Sequence, residues 1–234
     1  MRLSILFDNV PGREDLTPLW GFSCLIETEE NCWIFDTGSN GRVLLENAEK
    51  MNIHLPWIDS MVISHPHWDH VGGIDSVLEV APRVRLYVPA SLSRHWIDDL
   101  RVMSGGVEVI GERAQTLFDS VRSTGIMGEI GEQAVIIDSR RGPVVLTGCA
   151  HPGIVEITAR AVEMCGEAPY LLMGGFHLLK SSREEIQEVI DGLISLGVRQ
   201  ICPTHCTGRL GMEMFREAFG RDCLEGGLGS VVEI

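Results

Sequence analysis

The stretch of sequence that decides the fold is Val62-Ile-Ser-His65-Pro-His67-Trp-Asp69-His70-Val-Gly-Gly73. An apolar run typical of a β-strand ends at Ser64, and three histidines and one aspartate follow within six residues. Imidazole and carboxylate groups are the ligands of zinc, manganese and iron. Four such donors exceed what one tetrahedral ion needs from one loop, so the spacing predicts two divalent ions. A histidine-rich polar turn is the alternative, but the chain has only 8 histidines, and three of them in one hexamer favour a metal site.

Outward from this motif, short β-branched apolar runs alternate with helical patterns. A strand meander comes first and strands alternating with helices follow, a pattern that predicts an α/β protein with helix-covered sheets. The stretch from Leu92 to Gly131 lacks steady periodicity, and we expect loops or a lid there. The predicted helices are Gly41–Met51, Gly153–Cys165 and Arg183–Leu196. The predicted strands are Leu3–Phe7, Ser23–Glu27, Cys32–Asp36, Met61–Ser64, Arg85–Val88, Val107–Ile110, Ala134–Asp138, Val144–Thr147, Tyr170–Met173 and Gln200–Cys202.

The hexamer His65-x-His67-x-Asp69-His70 resembles the signature of the metallo-β-lactamase superfamily. The resemblance implies a four-layer αββα sandwich with the metals at one edge of the two sheets, formed here by a single domain over residues 1–234. It also implies that His65 and His67 bind one ion, and that Asp69 and His70 bind the other. Two later histidines follow predicted strands and match the remaining ligand positions by context: His151 for the first ion and His205 for the second.

The chain departs from the superfamily pattern at the bridging ligand. Members usually place an aspartate after the strand that corresponds to Tyr170–Met173 and its first glycine, but Gly175 stands there and His177 follows two residues later. Three roles for His177 remain open: a contact to substrate or anion beside the metals, a direct ligand, or a structural histidine. We favour the contact and name His177, with Asp69, as a candidate catalytic residue.

Several segments together resemble one branch of the superfamily, the dihydropterin ribofuranosylaminobenzene phosphate synthase-like hydrolases. The branch label refers to an activity in methanopterin synthesis, so the resemblance implies a small phosphoester substrate that is pterin-linked or cyclic. The segments cover nearly the whole chain: Asp8-Asn9, Trp20-Gly-Phe-Ser23, Phe35-Asp-Thr-Gly38, Gly148-Cys-Ala-His-Pro-Gly153, Gly174-Gly-Phe-His177 and Pro203-Thr-His-Cys-Thr-Gly208.

The predicted function is therefore hydrolysis by a metal-activated hydroxide at two divalent ions. Zinc is the preferred metal, and manganese and iron are the alternatives. Asp69 has two compatible roles, ligand and proton acceptor, and Asp36 is expected to orient a histidine or to serve a turn. A lactone or thioester hydrolase would use the same hydroxide. A non-catalytic metal-binding or sensor protein is a further alternative, and an oxygen-reducing diiron enzyme is a weak one because such enzymes usually carry glutamate where His67 stands.

Composition limits the partners. The 33 acidic and 19 basic residues leave a net charge of −14, which argues against nucleic-acid binding by bulk electrostatics. Ions among neutral imidazoles would still make a local positive well for a small anionic substrate. The 7 cysteines show no disulfide framework, the start lacks a signal-peptide core, and no apolar run nears the ~20 residues of a membrane span. We expect a reduced, cytoplasmic protein without membrane contact; its oligomeric state is open.

Overall fold

The computed structural model describes all 234 residues, which divide into two units. The first consists of Met1–Gly111 and Gly227–Ile234, and the second of Glu112–Gly226. Each unit is a β-sheet with its own helices. The expectation of one domain over residues 1–234 stays a prediction.

The first unit contains a mixed sheet of seven strands in the order β13-β1-β2-β3-β4-β5-β6. Pairing is antiparallel from β13 to β3 and parallel from β3 to β6. The strands are β1 (Arg2–Asp8), β2 (Phe22–Glu27), β3 (Cys32–Phe35), β4 (Ser60–Val62), β5 (Arg85–Pro89), β6 (Gly106–Ile110) and β13 (Val231–Glu233). The helices are α1 (Gly41–Lys50), α2 (Trp68–Val71), α3 (Ile74–Val80) and α4 (Arg94–Met103), with a 3-10 turn at Leu55–Trp57.

The core of the first unit lies between its sheet and its helices. Leu44 and Ala48, four residues apart on α1, share one helix face and are buried with Val77 of α3 and Leu100 of α4. Asn40 fixes the start of α1, because its side chain accepts a hydrogen bond from the Val43 N–H. Burying a Leu or Val side chain contributes roughly 1.5–3 kcal/mol, so this face holds the helices on the sheet.

The second unit contains a six-stranded sheet in the order β12-β11-β10-β9-β8-β7, in which β10, β11 and β12 run parallel. Its helices bury Ile157, Ile190 and Phe215 in a separate core. The strands are β7 (Gln115–Phe118), β8 (Val121–Ser123), β9 (Val135–Ile137), β10 (Val144–Thr147), β11 (Leu171–Gly175) and β12 (Gln200–Thr204). The helices are α5 (Ile154–Cys165), α6 (Arg183–Ser195) and α7 (Gly208–Phe219), with 3-10 turns at His205–Thr207 and Gly220–Asp222.

All ten predicted strands and all three predicted helices occur, and each predicted end lies within two residues of the observed one. Outside the predicted strand Val107–Ile110, which corresponds to β6, the prediction of loops or a lid between Leu92 and Gly131 is wrong, because α4, β7 and β8 lie there. Only Ile97 and Leu100 of α4 are buried, which is too short an apolar stripe to stand out in the sequence. None of the helices is both long and apolar enough to cross a bilayer.

Candidate metal centre

The predicted ligands of the first unit lie on one loop, residues 64–70, which we call the histidine loop. It follows β4 and leads into α2. Strands β3 and β4 are parallel with Phe35 opposite Val62, so the residues after both strands meet at one sheet edge. Asp36 therefore lies beside the loop, and its backbone N–H donates to the Val62 carbonyl at 2.9 Å.

Asp36 organises the side chains of the histidine loop. Its Oδ1 accepts the Ser64 backbone N–H at 2.7 Å, and its Oδ2 accepts the Ser64 hydroxyl at 2.6 Å and His70 Nδ1–H at 2.7 Å. Since the Ser64 proton is used toward Asp36, the Ser64 oxygen accepts His65 Nδ1–H at 2.8 Å. Both buried histidines thus carry their proton on Nδ1, and their Nε2 atoms present lone pairs, the form in which imidazole binds a metal.

The loop donors converge at distances that suit metal ions. His65 Nε2 and His67 Nδ1 are 3.0 Å apart, a separation that fits one shared proton or one shared ion. Two nitrogens on a tetrahedral zinc ion, each at about 2.0–2.1 Å, lie about 3.3 Å apart. Asp69 Oδ2 lies 3.7 Å from His70 Nε2. The donor set and its spacing therefore fit divalent ions of the zinc class.

Close backbone packing holds the histidine loop in place. A Cβ on Gly72 would lie 2.5 Å from the Ser39 carbonyl oxygen, and one on Gly73 would lie 2.4 Å from the Thr37 carbonyl oxygen. Thr37 also donates its hydroxyl to the His70 carbonyl at 2.9 Å and accepts the Gly73 N–H at 3.1 Å. Any side chain at the two glycines would push the loop away from the residues that follow β3.

The predicted site residues of the second unit, the ligands His151 and His205 and the catalytic candidate His177, come from three strand ends. His151 follows β10, His177 follows β11 and His205 follows β12. Because these strands are parallel, their carboxyl ends lie at one edge of the sheet, and the His151 and His177 rings are 4.3 Å apart between centroids. We call the five residues at this edge the strand-end cluster: Cys149, His151, His177, His205 and Cys206.

The backbone of the strand-end cluster is conformationally unusual. Ala150, His177 and His205 have φ values of 60°, 54° and 50°. Few non-glycine residues adopt this left-handed region, and those that do are concentrated at functional sites whose surroundings hold them there.

Glu132 holds the turn before His151, and sequence reasoning missed it. This buried carboxylate accepts three successive backbone N–H groups, those of Cys149 at 2.8 Å, Ala150 at 2.9 Å and His151 at 2.8 Å. Such an array of amides is an anion-binding concavity, and here the protein fills it with its own anion. The one signal in the sequence is an acid beside the apolar strand β9, and nothing local connects it to residue 151.

Two cysteines share this edge with the histidines. Burial raises the pKa of the Cys206 thiol, but hydrogen bonds with Cys149 and His177 outweigh burial and hold that pKa well below the usual thiol value. The bond with Cys206 in turn raises the pKa of His177. The exposed His177 ring forms the open side of this group, since both cysteines are buried.

The structure thus brings His65, His67, Asp69 and His70 together in the first unit, and His151 and His177 together in the second. The expected hydrogen bond between Asp36 and a histidine of the motif is confirmed. The assignment of the six metal ligands and of Asp69 and His177 as catalytic residues stays a prediction.

Comparison with known proteins agrees with the motif. The family model of the Metallo-beta-lactamase superfamily matches residues 16–205. A relative from Methanocaldococcus jannaschii, 7,8-dihydropterin-6-methyl-4-(beta-D-ribofuranosyl)-aminobenzene-5'-phosphate synthase, is 27% identical over 88% of each chain. A hydroxyacylglutathione hydrolase from Aeromonas salmonicida is 35% identical over 32% of this chain and 30% of its own.

Among solved structures, Tm1679, a metal-dependent hydrolase of the beta-lactamase superfamily, superposes with a TM-score of 0.83 at 26% identity. The match covers 100% of this chain and 99% of that one. The predicted fold class is therefore confirmed.

Proposed function

Because the chain belongs to the metallo-β-lactamase superfamily, we propose that it is a metal-dependent hydrolase that acts on a small phosphoester. The observation that carries the proposal is the Asp36–Ser64 hydrogen-bond network, which holds His65 and His70 with Nε2 as the donor atom. A histidine-rich polar turn would not need a buried carboxylate that selects one tautomer of two rings.

We propose two divalent ions, zinc first, with His65, His67 and His151 as ligands of one and Asp69, His70 and His205 as ligands of the other. What joins the two sets in this proposal is the ligand pattern of the superfamily. Bound divalent ions supply a hydroxide nucleophile near neutral pH and stabilise the negative charge that develops on the substrate.

The protein's own groups would position the substrate and move its proton. Asp69 lies in the first turn of α2 and is almost buried, so its carboxylate is held in place as a ligand and proton acceptor. His177 is exposed beside His151, where its ring can donate a hydrogen bond to an anionic oxygen of the substrate. The surface carries a net charge of −14, which would repel large polyanions and leaves a small anion as the proposed partner.

The phosphoester assignment draws on the relative from Methanocaldococcus jannaschii, whose name includes a 5'-phosphate of a ribofuranosyl aminobenzene. That relative is similar over nearly the whole chain. A pterin-linked or cyclic phosphoester is therefore the substrate that we propose to test first.

The test compares His67→Ala with His54→Ala in hydrolysis of bis-nitrophenyl phosphate. His67 faces Nε2 of His65, a proposed ligand atom. His54 is the matched control, because it only contacts the Trp57 ring in a tilted arrangement at the 3-10 turn Leu55–Trp57. We expect the His67 variant to lose about 100-fold or more in kcat/KM, the result of removing a group that supplies ~3 kcal/mol to the transition state. Equal activity in both variants would contradict the proposal.

A second candidate is hydrolysis of a thioester or lactone, which the similarity to hydroxyacylglutathione hydrolase favours. The shared segment covers about a third of the chain, so it supports this substrate class less broadly. Parallel assays with bis-nitrophenyl phosphate and a panel of thioesters and lactones separate the two: the higher kcat/KM identifies the class.

A further inference from the structure

Gly175 occupies the position at which the superfamily usually has a bridging aspartate, and the structure gives a reason. A Cβ built on Gly175 would lie 2.6 Å from Cys206 Sγ, 2.5 Å from the Gly148 carbonyl oxygen and 3.2 Å from His205 Cδ2. Cβ atoms essentially never approach other heavy atoms more closely than 3.0 Å. The space that a side chain at residue 175 would take is therefore filled by the Cys206 sulfur and the Gly148 carbonyl oxygen.

The sheet register places this sulfur there. Gly175 pairs with Thr204 across β11 and β12, and Cys206 follows two residues after Thr204 in the 3-10 turn His205–Thr207. Cys206 Sγ also lies 3.6 Å from the Cys149 carbonyl oxygen. One cysteine from the end of β12 thus lies between the ends of β10 and β11.

Three donor atoms converge around that point. Cys149 Sγ, Cys206 Sγ and a ring nitrogen of His177 all lie within 4.8 Å of one another. Each comes from a different strand end, so the sheet itself sets their spacing. Both cysteines are 4% exposed, whereas His177 is open to solvent, which leaves one side of the group accessible to an ion and to a further ligand.

Two thiolates and one imidazole form a known type of zinc ligand set with one open coordination position. Donors on a tetrahedral ion lie roughly 3.3–3.8 Å apart, which is within the 4.8 Å limit on the separations in this group. Soft sulfur ligands favour zinc and discriminate against magnesium and manganese.

We propose that Cys149, His177 and Cys206 form a thiolate metal site, in which sulfur takes the place of the carboxylate that the superfamily usually provides after β11. The inference rests on the proposed function only in that both require a bound ion. It adds two ligands that the histidine pattern does not contain, and it makes zinc or cobalt the preferred metal over manganese.

The test uses the full chain, freed of metal with a chelator and reloaded with cobalt(II) or zinc(II). We expect cobalt to give a near-ultraviolet sulfur-to-metal charge-transfer band, and zinc X-ray absorption to show sulfur scattering at about 2.3 Å. Cys149→Ser and Cys206→Ser should each reduce the charge-transfer band and weaken zinc binding by at least about tenfold. Cys223→Ser, a half-buried cysteine of the same unit, is the control and should leave both unchanged.

The outcomes separate this inference from the proposed function. Metal that binds with only nitrogen and oxygen scattering, and without the charge-transfer band, overturns the thiolate site and leaves the metal-dependent hydrolase standing. Failure of the wild-type chain to bind any ion overturns both. Because these spectra are first recorded on the wild-type protein, misfolding of a serine variant does not affect the decision.

Discussion

The histidine loop and the strand-end cluster hold their candidate metal donors in place in different ways. The loop takes its donors from one hexamer, and the buried carboxylate of Asp36 fixes the ring of His70 directly and that of His65 through Ser64. The cluster takes its donors from three strand ends, and the buried carboxylate of Glu132 fixes the backbone of one of them, the turn from Cys149 to His151. In the loop the carboxylate selects the tautomers of two histidines, whereas in the cluster it holds the shape of the turn that carries His151.

The largest expected effect comes from removing the charge that organises the loop. Asp36→Asn keeps the shape and tolerates the left-handed φ of 57°. Its amide nitrogen, a donor, replaces either the oxygen that accepts both His70 Nδ1–H and the Ser64 hydroxyl or the oxygen that accepts the Ser64 backbone N–H. Losing such an outer partner typically costs 10–100-fold in metal affinity, so we expect about that loss in a competition with a zinc indicator.

The matched control is Asp8→Asn, a buried aspartate that accepts the Val10 N–H at 2.8 Å in a turn after β1. An Asp36 variant that binds zinc as tightly as the Asp8 variant would mean that the carboxylate does not organise the loop.

A smaller effect is expected from Glu132→Gln in the cluster. Glu132 Oε1 accepts the N–H groups of Cys149 and Ala150, and Oε2 accepts that of His151. A glutamine keeps only one of these two oxygens, and its NH2 group then faces a backbone N–H that has lost its acceptor. Leaving a buried donor unsatisfied costs about 1–3 kcal/mol, which urea unfolding should detect. We also expect zinc binding to weaken by about tenfold because His151 loses its fixed turn.

Glu129→Gln is the control for this change, since Glu129 is exposed in the same segment. A Glu132 variant that loses stability but retains wild-type zinc affinity would mean that Glu132 contributes to folding only. It would contradict the idea that Glu132 positions metal donors as Asp36 does.

The smallest effect at the metal centre is expected from a change outside both sets. The Ser182 hydroxyl oxygen caps α6 by accepting the Glu185 backbone N–H. The Glu185 carboxylate in turn accepts the Ser182 backbone N–H at 2.7 Å. Ser182→Ala should lower the free energy of unfolding by about 1 kcal/mol. Zinc affinity should not change, and a parallel loss of affinity would show that the metal assays report global stability.

Sequence reasoning succeeds where the information is local. The ten predicted strands follow from β-branched apolar runs. The histidine loop can be predicted because its donors lie in one hexamer. Helix α7 escapes notice because Gly208 and Gly211 interrupt its pattern and only Gly211, Met214 and Phe215 are buried. The last strand, β13, pairs antiparallel with β1 at the edge of the first sheet, a pairing between the two ends of the chain.

Sequence reasoning fails where a contact joins distant residues. The bond from Glu132 to His151 spans 19 positions, and no local pattern marks it. The position of Cys206 beside Gly175 depends on the register of β11 against β12, which a sequence pattern does not specify. The sequence shows that Gly175 stands where the superfamily usually has an aspartate. Only the structure shows that Cys206 Sγ lies against that position.

The most direct test of the central claim is elemental analysis of protein purified without chelator, combined with phosphodiester hydrolysis before and after metal removal. The metal-dependent hydrolase account predicts about two equivalents of zinc, manganese or iron per chain, with hydrolysis that is lost on removal and regained on reloading. Protein that retains only trace metal, and that gains no hydrolysis when these ions are added, would contradict it.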